Sequence, residues 1–127
     1  IHVAIKLIAG FYNFLIFGFM ITKLEMYSNM DENKRIKELK KQMHRWTYRY
    51  AERVGYKLNP DDEMLDIVLE GLAKNKLKHG RRYCPCRIIT GDEEQDKKII
   101  CPCVYHKHEI NTDGMCHCAL FFDNGDG

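Results

Sequence analysis

The chain has 127 residues, a net charge of +2 and 30% charged residues. That suits one domain with one core and offers too little positive charge for a nucleic-acid binder. The hydrophobic share of 45% is ordinary for a globular protein; the one anomaly is the cysteines, all six of them in the last third.

The first 22 residues, IHVAIKLIAGFYNFLIFGFMIT, are strongly apolar, interrupted by His2, Lys6 and Asn13. The run from Leu7 to Thr22 is shorter than the ~20 residues of a usual membrane span. A lysine ahead of an apolar run resembles a signal peptide, but no small-X-small cleavage site follows. The chain opens with Ile1, and Met20, Met26 and Met30 lie inside it. Three explanations stand side by side: a membrane anchor, a mis-set start or upstream extension absent from the working protein, and a buried helix. Residues 1–29 are therefore set apart, and 30–127 are taken as the functional domain.

A helix is predicted from Asp31, its N-cap, with Glu32 in the first turn. Ile36, Leu39, Met43, Trp46, Tyr50 and Val54 recur at spacings of three or four, one helical face, and Gly55 stops it. The Lys and Arg residues opposite read as a solvated face, and Trp46 reads as core. A second helix is predicted from an Asn59 N-cap, with Pro60 in first position and Asp61, Asp62 and Glu63 at the positive end. Leu65, Val68, Leu69 and Leu72 form its stripe. It runs out into KNKLKHGRR, residues 74–82. Cations at a helix C-terminus and a landing patch for an acidic partner both fit that run.

Beyond it the pattern is of loops and short helical turns, with TGDEEQDKK as an exposed connection and little room for a sheet. IIC and ALFF supply apolar cover. His106 and His108 are expected in surface loops, and His44 and His79 facing solvent. A segment so poor in periodicity needs another organiser, and metal–thiolate bonds can supply one.

The cysteines form three Cys-X-Cys pairs: Cys84/Cys86, Cys101/Cys103 and Cys116/Cys118. Structural zinc favours two to four residues between paired cysteines and needs four ligands, so zinc leaves two thiols over. Cys84 and Cys101 precede proline and should be extended. In extended chain i and i+2 share a face, but a turn at the proline splays them. Three readings stay open: zinc, three structural disulfides, or a four-thiol cluster beside a disulfide.

The segments YCPCR, IICPCVY and GMCHCALFF, in that order, resemble the three motifs of the ferredoxin–thioredoxin reductase catalytic subunit family. The arginine after the first pair and the apolar residues after the last match too. The resemblance covers about Met30 to Phe122, including both helices. The loop ITGDEEQDKKII and the short connection to Cys116 are more similar to archaeal and bacterial members than to the chloroplast form. The resemblance implies a mainly α single domain with irregular loops, organised around a [4Fe–4S] cluster. It assigns Cys84, Cys101, Cys103 and Cys116 as cluster ligands. It assigns Cys86 and Cys118 as the redox-active disulfide, with Cys86 the exposed attacking thiol and Cys118 against the cluster. His117 falls at the histidine held near that disulfide, with a role in proton supply. The implied activity is an oxidoreductase that takes electrons from ferredoxin and reduces thioredoxin or a thioredoxin-like protein. A small second subunit accompanies the chloroplast relatives. The expected location is the cytoplasm, with anchoring through residues 1–22 as the other outcome. The rival readings are a non-catalytic zinc or iron–sulfur structural module and a secreted, disulfide-stapled protein.

Overall fold

A computed structural model describes the backbone of residues 2–125 and the side chains of residues 25, 26 and 28–125. The chain divides into two units, Ile1–Lys34 and Arg35–Gly127. The first is helical along its described backbone, and the side chains of residues 1–22 lie outside the described residues, as do the three explanations offered for that run. Among the described residues no helix is long and apolar enough to cross a membrane.

Helix α1 runs over His2–Val54. Asp31 is therefore inside a helix and caps nothing, a correction to the predicted start: the residues ahead of it continue the helical backbone. The stop at Gly55 is as expected. Its φ of 86° lies in the left-handed region, and its N–H donates to the Ala51 carbonyl at 3.0 Å. Met43, Thr47 and Ala51 are buried, with Ile36, Leu39, Trp46 and Tyr50 packed around them. Val54 was assigned to this face but is 39% exposed. The stripe rotates off the core in the last turn.

Strand β1 is Tyr56–Leu58, and helix α2 is Asp62–His79. The N-cap of α2 is Asp61, two residues beyond the predicted Asn59; its side chain accepts from the Glu63 and Met64 N–H groups. Asn59 has another task. Buried at 7% exposure, it donates through Nδ2 to the Ala119 carbonyl at 2.9 Å and accepts from the Asp61 N–H at 2.8 Å. It thereby ties the start of α2 to the turn after the third cysteine pair. Val68, Leu69, Leu72 and Ala73 are buried, as the stripe predicted, and Leu65 packs beside them. An ion pair of 2.8 Å between Lys40 and Asp66 links α1 to α2 at the surface. Gly80, at φ 75°, closes α2.

Helix α3 is Glu93–Asp96, followed by a 3₁₀ turn over Lys97–Ile99. The stretch expected as an open connection is thus partly organised. Asp96 is buried and accepts from the Thr90 N–H, the Thr90 hydroxyl and the Gly91 N–H at 2.9, 2.8 and 3.0 Å. Those bonds, the Thr90 N–H foremost, hold its carboxyl below the usual value. Helix α4 is His106–Asp113, and strand β2 is Phe121–Asp123. β2 pairs antiparallel with β1, Leu58 opposite Phe121 and Tyr56 opposite Asp123. Among the described residues the sheet is no more than this ribbon. The fold is mainly helical, as expected, and the core is the α1–α2 interface closed by Leu120, Phe121 and the buried cysteines.

Candidate functional site

Backbone pairing draws the three cysteine pairs together. Tyr83 and Ile100 form an antiparallel bridge. Beside it the Cys84 N–H donates to Ile99 at 2.8 Å and the Cys101 N–H to Arg82 at 2.9 Å, so the first and second pairs start in register. The third pair follows a bridge between Met115 and Phe122, with the Cys116 N–H on the Phe121 carbonyl at 3.0 Å. Each pair then turns back on itself. Arg87 N–H donates to Cys84 at 3.2 Å, His106 to Cys103 at 3.3 Å and Ala119 to Cys116 at 2.8 Å. Ala119 takes φ 58°, a conformation uncommon and strained for a residue with a Cβ, which turns the chain sharply after Cys118.

Five cysteines, Cys84, Cys101, Cys103, Cys116 and Cys118, are buried at 3–6% exposure and line one cavity. Cys86 is exposed and lies outside that lining, but its thiol is close enough to that of Cys118 for each to act on the other's proton. Desolvation there, then the neighbouring Cys118, pushes the Cys86 thiol up to about 11. Cys84 sits at the centre. Hydrogen bonds with Cys101 and Cys103 push its thiol well up, while the same contact holds Cys103 down at about 6. Contact with Cys84, then burial, pushes Cys118 up. Burial pushes Cys116 up against the pull of the N–H groups aimed at its sulfur, one of them from Phe121 at 3.4 Å.

The four cysteines expected as ligands are thus together and buried, with backbone N–H donors serving the sulfurs of Cys103 and Cys116. An all-thiolate donor set of this kind is soft and suits iron–sulfur clusters and zinc, and N–H groups on sulfur are among the levers that tune such clusters. Among the described residues no three Cys, His, Asp or Glu side chains converge tightly enough to hold a single metal ion. His117, expected near the thiol pair, is exposed and lines the cavity.

Three supports of the site were not expected. His106 is buried at 7%, not in a surface loop. Its Nε2 meets the Tyr50 hydroxyl at 2.6 Å and its Nδ1 meets the Cys103 carbonyl. Its position at the start of α4, three residues after Cys103, turns the ring inward under Phe121 and Tyr56. His44 and His79 are exposed, as expected, and His108 is exposed too, but on helix α4 and not in a loop. Arg82 donates from Nε to the Cys101 carbonyl at 2.7 Å, with its guanidinium 4.1 Å from the Trp46 ring centre. Gly71 of α2 faces the first pair: a Cβ there would lie 2.7 Å from Pro85 Cβ and 2.9 Å from its Cγ. A lone glycine within a helical stripe was the signal for it.

Fold and site define a small helical thiol protein, in which one exposed and one buried cysteine meet at the edge of a chamber of buried thiols. Residues 32–126 match the sequence model of the ferredoxin thioredoxin reductase catalytic beta chain family. The chain belongs to that family. It is 35% identical over 81 residues to the ferredoxin-thioredoxin reductase catalytic chain of Porphyra purpurea, a match over 62% of this chain and 65% of that one. It is similar to the same chain of Guillardia theta, at 36% identity over 62% of this chain and 76% of that one. It is also similar to the chloroplastic catalytic chain of Arabidopsis thaliana, at 31% identity over 62% and 53%. The match thus spans a little under two thirds of the length of the Porphyra relative.

Proposed function

We propose that this chain is an oxidoreductase that reduces a disulfide in thioredoxin or a thioredoxin-like protein with electrons from ferredoxin. The observation that carries this reading is the nearness of exposed Cys86 to buried Cys118 at the rim of a chamber lined by four further thiols. Cys84, Cys101, Cys103 and Cys116 are the residues to hold a [4Fe–4S] cluster. When bound, that group supplies electrons singly to a reaction that needs two.

The Cys86 sulfur, as thiolate, attacks the target disulfide. A Cys86–target bond forms, the target S–S bond breaks, and one target sulfur leaves as thiolate and takes a proton. The Cys118 sulfur then attacks Cys86, releasing the second target thiolate and leaving a Cys86–Cys118 disulfide. Two electrons and two protons restore the pair. His117 is the residue assigned to those protons; its place next to Cys118 in sequence and among the cavity-lining residues supports that role. Burial keeps Cys118 from competing targets, while exposure gives Cys86 access. A donor near ~−400 mV and an acceptor near ~−270 mV differ by roughly 130 mV, about 6 kcal/mol for two electrons, so the transfer runs toward the target.

The relatives' names support ferredoxin and thioredoxin as partners, and the words "catalytic chain" support a second subunit. A pair of working thiols calls for a reducing compartment, which supports a cytoplasmic location; residues 1–22 would add a membrane anchor if they insert. Residues 30–127 form the catalytic domain in this reading. The test is covalent trapping. Cys118→Ser protein mixed with oxidised thioredoxin should give a stable adduct through Cys86 on a non-reducing gel, and Cys86→Ser should give none. An adduct through Cys118 in the Cys86→Ser protein alone would reverse the roles.

A further inference from the structure

The wall of the thiol chamber contains one ion pair, between Arg87 and Glu109, each of which lines the cavity. Arg87 directly follows the exposed Cys86, yet its side chain turns inward and is only 23% exposed. Its Nη2 donates to both Glu109 carboxylate oxygens at 2.8 Å, and its guanidinium lies 4.7 Å from the centre of the Tyr105 ring. Glu109 comes from the first turn of α4, so the pair spans 22 residues of sequence. Such a partly buried charged fork is held in one orientation by two planar partners.

What the fork faces matters more than what holds it. The guanidinium stands beside the Cys103 thiol, which lines the same cavity wall. Its Nε is buried and has no partner among the described residues. A buried donor without an acceptor is costly, and this one sits in the wall of a chamber lined by thiols that become thiolates when they bind metal. Around Cys103, His106 meets its carbonyl, while Cys84 and the Tyr105 N–H approach its sulfur without bringing a positive charge. Arg87 is the cation beside its sulfur.

We propose that Arg87 is a positioning residue that sets the reduction potential of the thiolate centre, with Glu109 as its counterweight. The positive guanidinium beside the Cys103 sulfur favours the more negative, reduced form and raises the potential. Glu109 offsets part of that charge and fixes the fork in place. The thiol pair then receives electrons at a potential set from its own side of the chain, because Cys86 and Arg87 are neighbours.

The inference rests on the proposed cluster, so iron content is measured first on anaerobically purified protein. Absence of iron in the unaltered protein would defeat the proposed function itself; iron with no effect of Arg87 would defeat only this inference. The experiment is a spectroscopic redox titration of the unaltered protein, Arg87→Gln, Arg87→Lys and Glu109→Gln, with thermal unfolding of each. Arg87→Gln should lower the midpoint by the equivalent of roughly tenfold in the reduction equilibrium, about 59 mV for one electron. Glu109→Gln should raise it, and Arg87→Lys should keep most of it. If Arg87→Gln holds no iron, the opposite behaviour of Glu109→Gln and the near-normal midpoint of Arg87→Lys carry the test. Unchanged midpoints with a lowered melting temperature would make the pair structural only and overturn the proposal.

Discussion

Gly71→Ala places the close contact between α2 and the first cysteine pair under direct strain. Alanine in a helix interior gains about 1 kcal/mol over glycine. Here the added methyl would lie 2.7 and 2.9 Å from two carbons of the Pro85 ring, closer than real Cβ contacts come. The ring is rigid, and it stands between Cys84 and Cys86, so it cannot yield without moving both. Overpacking of this kind costs about 1–3 kcal/mol. The net is a loss of about 0–2 kcal/mol, a fall in melting temperature of up to roughly 8 °C for a domain of this size. The loss should come with a displaced first motif. The assay is thermal unfolding of anaerobic protein alongside the rate at which Cys86 reacts with iodoacetamide. A variant about 1 kcal/mol more stable, with unchanged Cys86 reactivity, would refute the packing argument and leave only helix propensity.

Other expectations are more local. Tyr50→Phe leaves a buried His106 nitrogen without its partner at 2.6 Å, and should cost about 1–3 kcal/mol in urea unfolding. Ala119→Gly relieves a positive φ of 58° and should leave stability unchanged or raise it by up to about 1 kcal/mol, read by thermal unfolding. Asp96 has a folded carboxyl below its unfolded value, so its stabilisation is present above the ordinary carboxylate range and fades as pH falls through the folded value. The advantage of the unaltered protein over Asp96→Asn should therefore shrink on acidification, as urea midpoints between pH 6 and 3 would register. Serine at Cys84, Cys101, Cys103 or Cys116 should remove iron and loosen the last third of the chain, checked by iron assay and circular dichroism. Neutralising Lys76, Lys78 and Arg81 should slow association with an acidic ferredoxin and flatten its salt dependence, measured by stopped flow.

Much of the scaffold was legible because it rests on periodicity and punctuation. The stripe Leu65, Val68, Leu69, Leu72 and the stop at Gly55 follow from local rules and hold in the fold. The starts of the helices did not. Asp31 satisfies the chemistry of a cap, but the preceding residues are themselves helical, and capping signals compete with continuation. Asn59 was a sound cap by type, yet its side chain is engaged by Ala119, 60 residues away, a tertiary bond no local window contains. The thiol chamber was legible as a spacing and an order of motifs. Its supports were not: His106 and Arg82 act on the cysteines through contacts across the fold and have an ordinary surface residue's appearance in sequence, and Gly71, though a lone glycine in a helical stripe, names no partner by itself. Asp96 shows the same limit, since its partners come from the turn that it organises.

The most direct measurement of the four-plus-two division of the thiols is an alkylation map of native, anaerobically purified protein after mild reduction. The expected result is rapid label on exposed Cys86 and slower label on buried Cys118 by mass spectrometry, with about four irons per chain retained and broad absorption near ~400 nm. Label on Cys84, Cys101, Cys103 or Cys116 in iron-bearing protein, or a colourless zinc protein, would contradict it.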